Sequence, residues 1–392
     1  MWRILMKQFI ASVIAFFLSV FGCIIPPADT ADLQPIAERQ AAATSEQLAL
    51  FETVLETELA WLAGLQLENG AIPMTKNDNG TVTVNPYFAD FAALALLDKA
   101  DVYGENVKKY IEWHLAHLNT ADTDPNGLDG TIFDYTVTLS DGNITAETSK
   151  GSYDSVDSYA ATFLTVLNKY YTATGDAQFL LSHAKDIDRI ARAMLSTAVL
   201  GLTVAKPDYR IKFLMDNCEV YEGTAAAVQL FENVLCKEDS AYTLTLKRCE
   251  ALFTQMSRAI ENVMWNKTEG YYRVSLSEFG ANALAFSWNE FYPCATAQLF
   301  PILHGVIEPN TERANKLYDK FCETYAWEHF DIPSEFCWGA NVLAAARMND
   351  LDRVVTYMNE YLDYSAGHAY PLYNADIARV CMAAYTMLQK NA

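Results

Sequence analysis

Pairs of carboxylates stand at the start of two apolar helical segments in this chain of 392 residues. Asp154 and Asp157 open one segment, and Asp216 and Glu219 open another. Such groups can perform acid–base chemistry, in which a protonated carboxylic acid gives a proton and a carboxylate takes one. These four residues are therefore the catalytic candidates. Their pKa values depend on burial and neighbouring charges, so the sequence leaves open which is acid and which is base.

Aromatic rings and further acids recur where other apolar segments begin. Rings stack on the apolar faces of sugars and carboxylates bind hydroxyls, so a pocket of both suits a carbohydrate. The predicted substrate-binding residues are Tyr87, Asp90, Tyr153, Tyr159, Tyr221, Glu222, Trp288, Glu290, Trp338 and Tyr370. The same rim is predicted to contain Asn289, Tyr292, Glu335, His368, Tyr373 and Asp376. Capping of helix N-termini explains any one of the acids alone, and only the whole collection favours a site.

About twelve helical segments carry these residues, as apolar periodicity and helix-breaking residues indicate. They cover roughly 45–66, 87–101, 104–118, 155–174, 176–199, 217–235, 238–263, 290–303, 309–325, 336–347, 350–361 and 373–390. Short turns follow the second, fourth, sixth and tenth segments, and longer loops precede the even-numbered ones. This asymmetry predicts one structural face and one loop face that carries function.

Charge alternates along the same segments. Residues 223–231, 291–307 and 336–346, all in even-numbered segments, contain no Lys, Arg, Asp or Glu, whereas the odd-numbered segments contain many. We therefore expect even-numbered helices to be inner and buried and odd-numbered ones to be outer and solvated. Such hairpins predict an all-α fold, an (α/α)6 toroid; an open solenoid is the alternative, but it would show a more regular period. The predicted buried residues include Phe163, Leu167, Ala226, Leu299, Ala344 and Ala384.

The longest loop, residues 119–153, carries two further signals. Asp122, Asp124 and Asn126 match the first half of a calcium-binding loop, but Phe133 stands where that loop needs a bidentate Glu. Asp-Pro-Asn-Gly is also an ordinary turn sequence, so no cofactor or metal is expected, and calcium at these three residues is the alternative. The stretches on either side of a Ser-Asp-Gly turn at 140–142 predict a β-hairpin within this loop.

Three stretches resemble segments of the six-hairpin glycosidase superfamily, and with the helix count they extend the resemblance from about Ser45 to the end of the chain. They are Gln66-Leu-Glu-Asn-Gly-Ala-Ile-Pro73, Tyr153-Asp-Ser-Val-Asp-Ser-Tyr-Ala-Ala-Thr-Phe163 and Met264-Trp-Asn-Lys-Thr-Glu-Gly-Tyr-Tyr-Arg273. The resemblance implies the toroid and a glycoside hydrolase activity. Asp154 and Asp157 resemble the acids of inverting endoglucanases and chitosanases of this fold, although their spacing differs and the first inner helix begins without a Glu.

Inverting hydrolysis needs an acid and a base about 6.5–9.5 Å apart. Acids on different inner helices can span that gap, whereas Asp154 and Asp157 share one helical turn, so we pair Asp154 with Glu219. The leading hypothesis is an extracytoplasmic hydrolase that cleaves an oligo- or polysaccharide by an inverting two-carboxylate mechanism. The alternative is a non-catalytic glycan-binding or surface-assembly protein on the same scaffold. A polysaccharide lyase needs a Tyr or His base and a group that neutralises a uronate, and the acidic rim disfavours it.

Overall charge and the N-terminal segment bear on partners and location. A net charge of −21 and a pI near 4.6 argue against nucleic acid and anionic membrane surfaces as partners. Arg3 and Lys7 precede an apolar stretch, which predicts a signal in residues 1–25. Either Cys23 is a lipid attachment site, or the segment is cleaved a little further on or kept as an anchor. A linker over 26–44 and the toroid domain over 45–392 follow. We expect a secreted or cell-surface protein with carbohydrate as partner, and membrane contact only through an N-terminal lipid or signal anchor.

Overall fold

A computed structural model describes residues 30–39 and 42–392 of the chain, and helices dominate them. The α-helices are α1 (Ser45–Leu65), α2 (Pro86–Leu96), α3 (Ala100–Ala116), α4 (Asp157–Thr174), α5 (Ala177–Ser182), α6 (Ala184–Ser196), α7 (Leu214–Leu230), α8 (Cys236–Glu238), α9 (Thr243–Ala259), α10 (Phe300–Leu303), α11 (Glu312–Thr324), α12 (Gly339–Arg347), α13 (Leu351–Tyr364) and α14 (Asn374–Lys390). The strands are β1 (Gly80–Val84), β2 (Tyr135–Ser140), β3 (Asn143–Ser149), β4 (Ala198–Val199), β5 (Leu202–Thr203), β6 (Ile211–Phe213), β7 (Trp265–Asn266), β8 (Tyr271–Tyr272) and β9 (Ser275–Ser277).

Six inner elements form a closed ring. Helix α2 contacts α4, α4 contacts α7, α7 contacts α10, α10 contacts α12, α12 contacts α14, and α14 contacts α2 again. The outer partners of this ring are α1, α3, α6, α9, α11 and α13. Because the order of contacts returns to its first member, the predicted (α/α)6 toroid is confirmed and the open solenoid is excluded.

Burial follows the predicted division into inner and outer helices. All six residues predicted to lie in the core are buried, and the most exposed of them, Ala226, is 6% exposed. The outer helices carry surface ion pairs instead, such as Arg189 with Asp186 on α6. Small residues let inner helices approach closely, since a Cβ atom on Gly223 of α7 would lie 2.4 Å from the carbonyl oxygen of Ala161 on α4. Uncharged, small-residue helices are therefore what the inner ring requires.

The fourth inner segment, residues 291–303, differs from the single helix predicted over residues 290–303. It consists of a π-helical turn at Phe291–Ala295 and the short helix α10. Pro293 and Pro301 lack the amide hydrogen that a continuous helix uses, and in such a helix each ring would clash with the preceding turn. The prediction of one continuous helix was therefore wrong, although the segment still occupies an inner position.

Strands β1, β2 and β3 form an antiparallel sheet in that order. Strands β2 and β3 are the predicted hairpin, whose turn places Asp141 and Gly142 at φ angles of 50° and 78°. Strand β1 precedes α2 and was not anticipated from the sequence. It pairs Val82 with Val137, and both side chains are buried, so the sheet is attached to the core of the toroid.

Residues 30–39, within the stretch predicted as a linker, lie against the start of α11. Pro35 forms a β-bridge with Thr311. Asp32 accepts hydrogen bonds from two nitrogens of the buried Arg313, at 3.0 and 2.7 Å. We call residues 30–39 the N-terminal strap, because these contacts tie it to the outer ring.

The predicted signal segment, with Cys23, lies outside the described residues. Within residues 30–39 and 42–392, no helix combines the length and the apolar character needed to cross a membrane. The export signal and the lipid attachment therefore stay predictions.

Candidate active site

A cavity of about 790 Å3 opens where the N-termini of the inner helices meet. Each of the six inner elements contributes residues to its lining, from the helix itself or from the loop that precedes it. These residues are Asn85, Tyr87, Phe88, Asp154, Ser155, Ser158, Tyr159, Met215, Asp216, Glu219, Asn289, Phe291, Tyr292, Phe300, Pro333, Ser334, Phe336, Trp338, Ala340, Tyr373, Ala375, Asp376 and Arg379. The cavity is within the usual size range of small-molecule sites.

Three of the four catalytic candidates line this cavity. Asp154 is exposed in the loop before α4, while Asp216 and Glu219 lie one turn apart at the start of α7. The contact between Gly223 and Ala161 brings α4 and α7 together and sets the spacing between Asp154 and the two acids of α7. The predicted pair, Asp154 and Glu219, therefore faces one common space.

Glu219 is the most deeply placed of the three acids and is only 2% exposed. It accepts a hydrogen bond from the Tyr87 hydroxyl. Burial and the charge of Asp216 raise the pKa of Glu219 to about 8, because both disfavour its ionised form. Glu219 therefore holds a proton at neutral pH and can act as a general acid.

Asp216 interacts with the charges of both other acids that line the cavity. Burial and the charge of Asp154 raise the pKa of Asp216 to about 7. Its own charge is in turn a cause of the raised pKa of Glu219. The protonation of Asp216 therefore affects that of Glu219, so these two groups do not titrate independently.

Asp157, the fourth catalytic candidate, does not line the cavity. It is fully buried in the first turn of α4, where one carboxyl oxygen accepts a hydrogen bond from the amide of Ser158. Its other oxygen has no hydrogen-bond partner among the described residues. Burial and the charge of Asp216 raise the pKa of Asp157 well above its ordinary value, which favours its protonated form.

Aromatic rings form the walls of the cavity. The rings of Tyr292 and Trp338 lie 5.2 Å apart between centroids, and those of Tyr87 and Tyr159 stack at 5.9 Å. Tyr87, Tyr159 and Trp338 are predicted substrate-binding residues, and Tyr292 is a predicted rim residue. Rings of this kind can stack on the apolar faces of sugar rings.

Two predicted substrate-binding acids are structural instead of lining the cavity. Asp90 is fully buried on α2 and accepts hydrogen bonds from the hydroxyls of Tyr110 and Thr162, both at 2.7 Å. Glu222 lies one turn below Glu219 and pairs with His304 at 2.6 Å. Their partners are thus protein groups, which hold inner helices to neighbouring elements.

Five further candidates also lie outside the lining. They are Tyr153, Tyr221, Trp288, Glu290 and Tyr370. Tyr221 stacks on a ring of α9 at 4.7 Å, and Glu290 accepts a hydrogen bond from the Cys294 thiol. Tyr370 is 60% exposed beyond the rim. Position at the start of an inner helix thus predicts the correct end of the toroid but not which side chains turn inward.

The stretch that matches half of a calcium-binding loop is a turn stabilised by hydrogen bonds from protein groups. The carboxylate of Asp124 accepts hydrogen bonds from the amide of Asn126 at 2.8 Å, from Thr131 at 2.6 Å and from Tyr153 at 3.2 Å. Both carboxylate oxygens of Asp124 are thus engaged within the loop. Among the described residues, no group of three or more His, Cys, Asp and Glu is arranged to hold a metal ion.

Arg379 of α14 and Phe336 also line the cavity, and neither is among the residues predicted from the sequence. Phe336 stacks on Tyr373 with ring centroids 5.7 Å apart. Arg379 stands three residues after Asp376, near the start of an inner helix that is otherwise almost uncharged there. This i, i+3 spacing puts both charges on one helix face and was the signal available for finding Arg379.

Comparisons with known proteins agree on the architecture. No protein-family model matches the chain, and no curated protein matches its sequence. A glycosidase variant solved in complex with glucose has a TM-score of 0.60 at 9% identity, over 89% of this chain and 99% of that one. A GH63 mannosylglycerate hydrolase from Thermus thermophilus in complex with glucose has a TM-score of 0.57 at 11% identity, over 84% and 99%.

A third solved structure, a rhamnosidase from Klebsiella oxytoca with rhamnose bound, has a TM-score of 0.57 at 13% identity, over 91% of this chain and 66% of that one. Likeness at such low identity concerns the fold. The chain therefore shares its (α/α)6 toroid fold with these solved glycosidases.

Proposed function

We propose that the protein is a glycoside hydrolase that cleaves an oligo- or polysaccharide by an inverting mechanism. The observation that carries this proposal is the joint position of Asp154 and Glu219 on an aromatic-lined cavity of a glycosidase-like scaffold. One is an exposed carboxylate, and the other is a buried acid with a pKa of about 8. Two carboxyl groups in such different environments suit opposite roles in acid–base catalysis.

The roles follow from these environments. Glu219 donates its proton to the glycosidic oxygen as the bond from that oxygen to the anomeric carbon breaks. Asp154 accepts a proton from a water molecule whose oxygen attacks the anomeric carbon from the opposite face. Asp216 is a positioning residue whose charge helps to keep Glu219 protonated.

The decisive experiment is hydrolysis of a mixed oligosaccharide panel by the purified protein and by two near-isosteric variants. Glu219→Gln and Asp154→Asn should each fold normally and lower turnover by about 10²–10⁴-fold. The matched controls are Glu232→Gln, exposed in the π-helical turn that follows α7, and Asp101→Asn, exposed at the opposite end of the toroid. Both controls should keep wild-type activity, and full activity of both site variants would refute the assignment.

Product analysis separates the remaining classes of function. Mass spectrometry should find one water added per bond cleaved, and NMR should find the inverted anomer first. An unsaturated product without added water would identify a lyase. Sugar binding without any product from the wild-type protein would identify a glycan-binding protein on the same scaffold.

Export and a secreted or cell-surface location belong to the same proposal. The basic and then apolar start of the chain supports it. A reporter enzyme fused after Thr44 should leave the cytoplasm. A radioactive fatty acid should label the wild-type protein and not the Cys23→Ala variant if Cys23 is lipidated, whereas absence of label favours simple cleavage or a retained anchor.

A further inference from the structure

Arg379 is the one basic residue among the side chains that line the described cavity. It lies on α14, and its guanidinium carbon is 4.0 Å from the centre of the Phe91 ring. That stacking fixes one flat face of the group and leaves its edge, which carries the N–H donors, available. The guanidinium is thus held in place at the wall of the site.

No described residue accepts a hydrogen bond from the Arg379 side chain or forms an ion pair with it. Two other arginines with restricted solvent exposure differ in this respect. The buried Arg313 is held by Asp32 and Glu261, and the partly buried Arg353 is held by Glu328 and Asp350. A partly buried cation without a hydrogen-bonded partner is costly, and a ligand anion that supplies the hydrogen bonds removes that cost.

Asp376, the nearest acid in sequence on α14, is already committed elsewhere. Its carboxylate accepts a hydrogen bond from the amide of Gly339 at 3.0 Å and so caps the start of α12. Glu219 accepts its hydrogen bond from Tyr87 instead of from Arg379. The carboxyl groups around Arg379 therefore leave its donors to a ligand.

A guanidinium edge matches a carboxylate with two parallel hydrogen bonds, which a single sugar hydroxyl does not reproduce. The acids of the cavity also repel an anion less than their number implies. Burial raises the pKa of Glu219 and of Asp376, whereas the charge of Arg379 acts in the opposite direction on both. The resulting pKa of Glu219 is about 8, so this acid is largely uncharged at neutral pH. A substrate carboxylate can therefore enter beside Arg379.

We propose that Arg379 binds a carboxylate of the substrate, so that the glycan is acidic. The carboxylate belongs either to the sugar, as in a uronic acid, or to the group attached to its anomeric carbon. The glycan part of this inference rests on the proposed hydrolase function. This inference adds the acidic class of the substrate and the residue that binds its carboxylate.

The test measures binding to the Glu219→Gln variant, which keeps Arg379 and mimics the protonated acid. Titration calorimetry compares glucuronic, galacturonic and mannuronic acids with glucose, galactose and mannose, and a glucoside of glycerate with methyl glucoside. At least one acid should bind about tenfold to a hundredfold more tightly than its neutral match, as expected for charge-assisted hydrogen bonds. A preference within the uronic acid series places the carboxylate on the sugar, and a preference for the glucoside of glycerate places it on the group attached to the anomeric carbon.

A second substitution shows whether Arg379 causes the preference. Adding Arg379→Gln should abolish the difference between acid and neutral sugar, whereas Arg379→Lys should keep part of it. Arg258→Gln, an exposed charge change on α9, is the matched control and should leave the difference unchanged. Thermal unfolding of each variant confirms that the protein is folded, and the Lys variant serves if the Gln variant is not.

Several outcomes would overturn the inference. Equal or tighter binding of neutral sugars would do so, and so would equal weakening of both classes by Arg379→Gln. Hydrolysis of neutral glycans together with no acid preference leaves the hydrolase proposal standing while this inference fails. Acid-specific binding without hydrolysis of any panel member supports this inference while the hydrolase proposal fails. Binding of no sugar at all rejects this inference.

Discussion

Burial of Glu219 decides the pH range in which it carries the proton that hydrolysis needs. Its pKa of about 8 means that the protonated form dominates at neutral pH and is lost above that value. The ratio kcat/KM should therefore decrease as pH increases through about 8. A pH–rate profile of the wild-type protein checks this, and a profile that stays flat to well above pH 8 would contradict the role of Glu219.

Asp216 should set the position of that alkaline limb. Its negative charge contributes to the raised pKa of Glu219, so Asp216→Asn should lower that pKa and move the limb to lower pH. Rates at acidic pH should change less than rates above neutrality. The exposed Asp101→Asn variant is the control, and its profile should match the wild type. A uniform loss of rate at every pH would mean that Asp216 acts on the substrate itself.

The same two acids link stability to pH. Burial raises the pKa of Asp216 from an ordinary 3.8 to about 7 and that of Glu219 from 4.5 to about 8. The folded protein thus holds protons that the unfolded chain releases, so their contribution is complete below about pH 4 and is lost as pH increases to about 8. The free energy of unfolding in urea should decrease over this range, on the order of a few kcal/mol. The Asp216→Asn, Glu219→Gln double variant should show a flatter dependence.

Helix packing at Gly223 is the element-scale condition for the site. Gly223→Ala places a Cβ atom 2.4 Å from the Ala161 carbonyl oxygen and must separate α4 from α7. We expect a loss of about 1–3 kcal/mol of stability and a lower kcat, because Asp154 and Glu219 move apart. Gly64→Ala on α1 is the matched control, since nothing lies within 4 Å of its new methyl group. That control should be neutral or slightly stabilising.

Charge alternation predicted the inner and outer helices because an inner helix is covered on both sides and cannot solvate a charge. The sequence was less informative where backbone chemistry intervenes. Pro293 and Pro301 were visible in the fourth inner segment, yet the apolar run outweighed them in the prediction. Strand β1 was missed because its five residues gain their pairing from a hairpin more than fifty residues later. Such non-local pairing leaves little signal in the strand itself.

Side-chain direction limits what sequence predicts of the site. Asp154, Asp216 and Glu219 were identified from their position at helix starts, and all three line the cavity. Asp90 on α2 and Glu222 on α7 were predicted by the same reasoning, but they bond to a hydroxyl and an imidazole of other elements. Whether an acid turns toward the cavity depends on helix rotation, which is set by packing against neighbours distant in sequence. The sequence therefore predicts which residues lie at the mouth of the toroid, but not which of their side chains face the cavity.

At the scale of the whole molecule, the N-terminal strap is fixed by a buried cation. Arg313 is 1% exposed and pairs with Asp32 and with Glu261, whose side chain is 11% exposed. Arg313→Ala leaves Glu261 without its partner and should cost about 3–5 kcal/mol. Asp32→Asn should cost less, because Asp32 is more exposed and Glu261 keeps its pair. Urea unfolding measures both, and equal losses would mean that the strap contact dominates.

The closed order of inner helices has a consequence for how the protein comes apart. An open array of hairpins frays from its ends, since a terminal unit has one neighbour and unfolds at low cost. Here α1 packs on α14, and α14 also contacts α2 and α12, so neither of these two helices is an edge of the ring in the described part of the chain. Loss of any hairpin uncovers apolar faces on both sides of the gap. Amide hydrogen exchange in α1 and α14 should therefore be as slow as in α4 and α7, with all of them opening in a single global event.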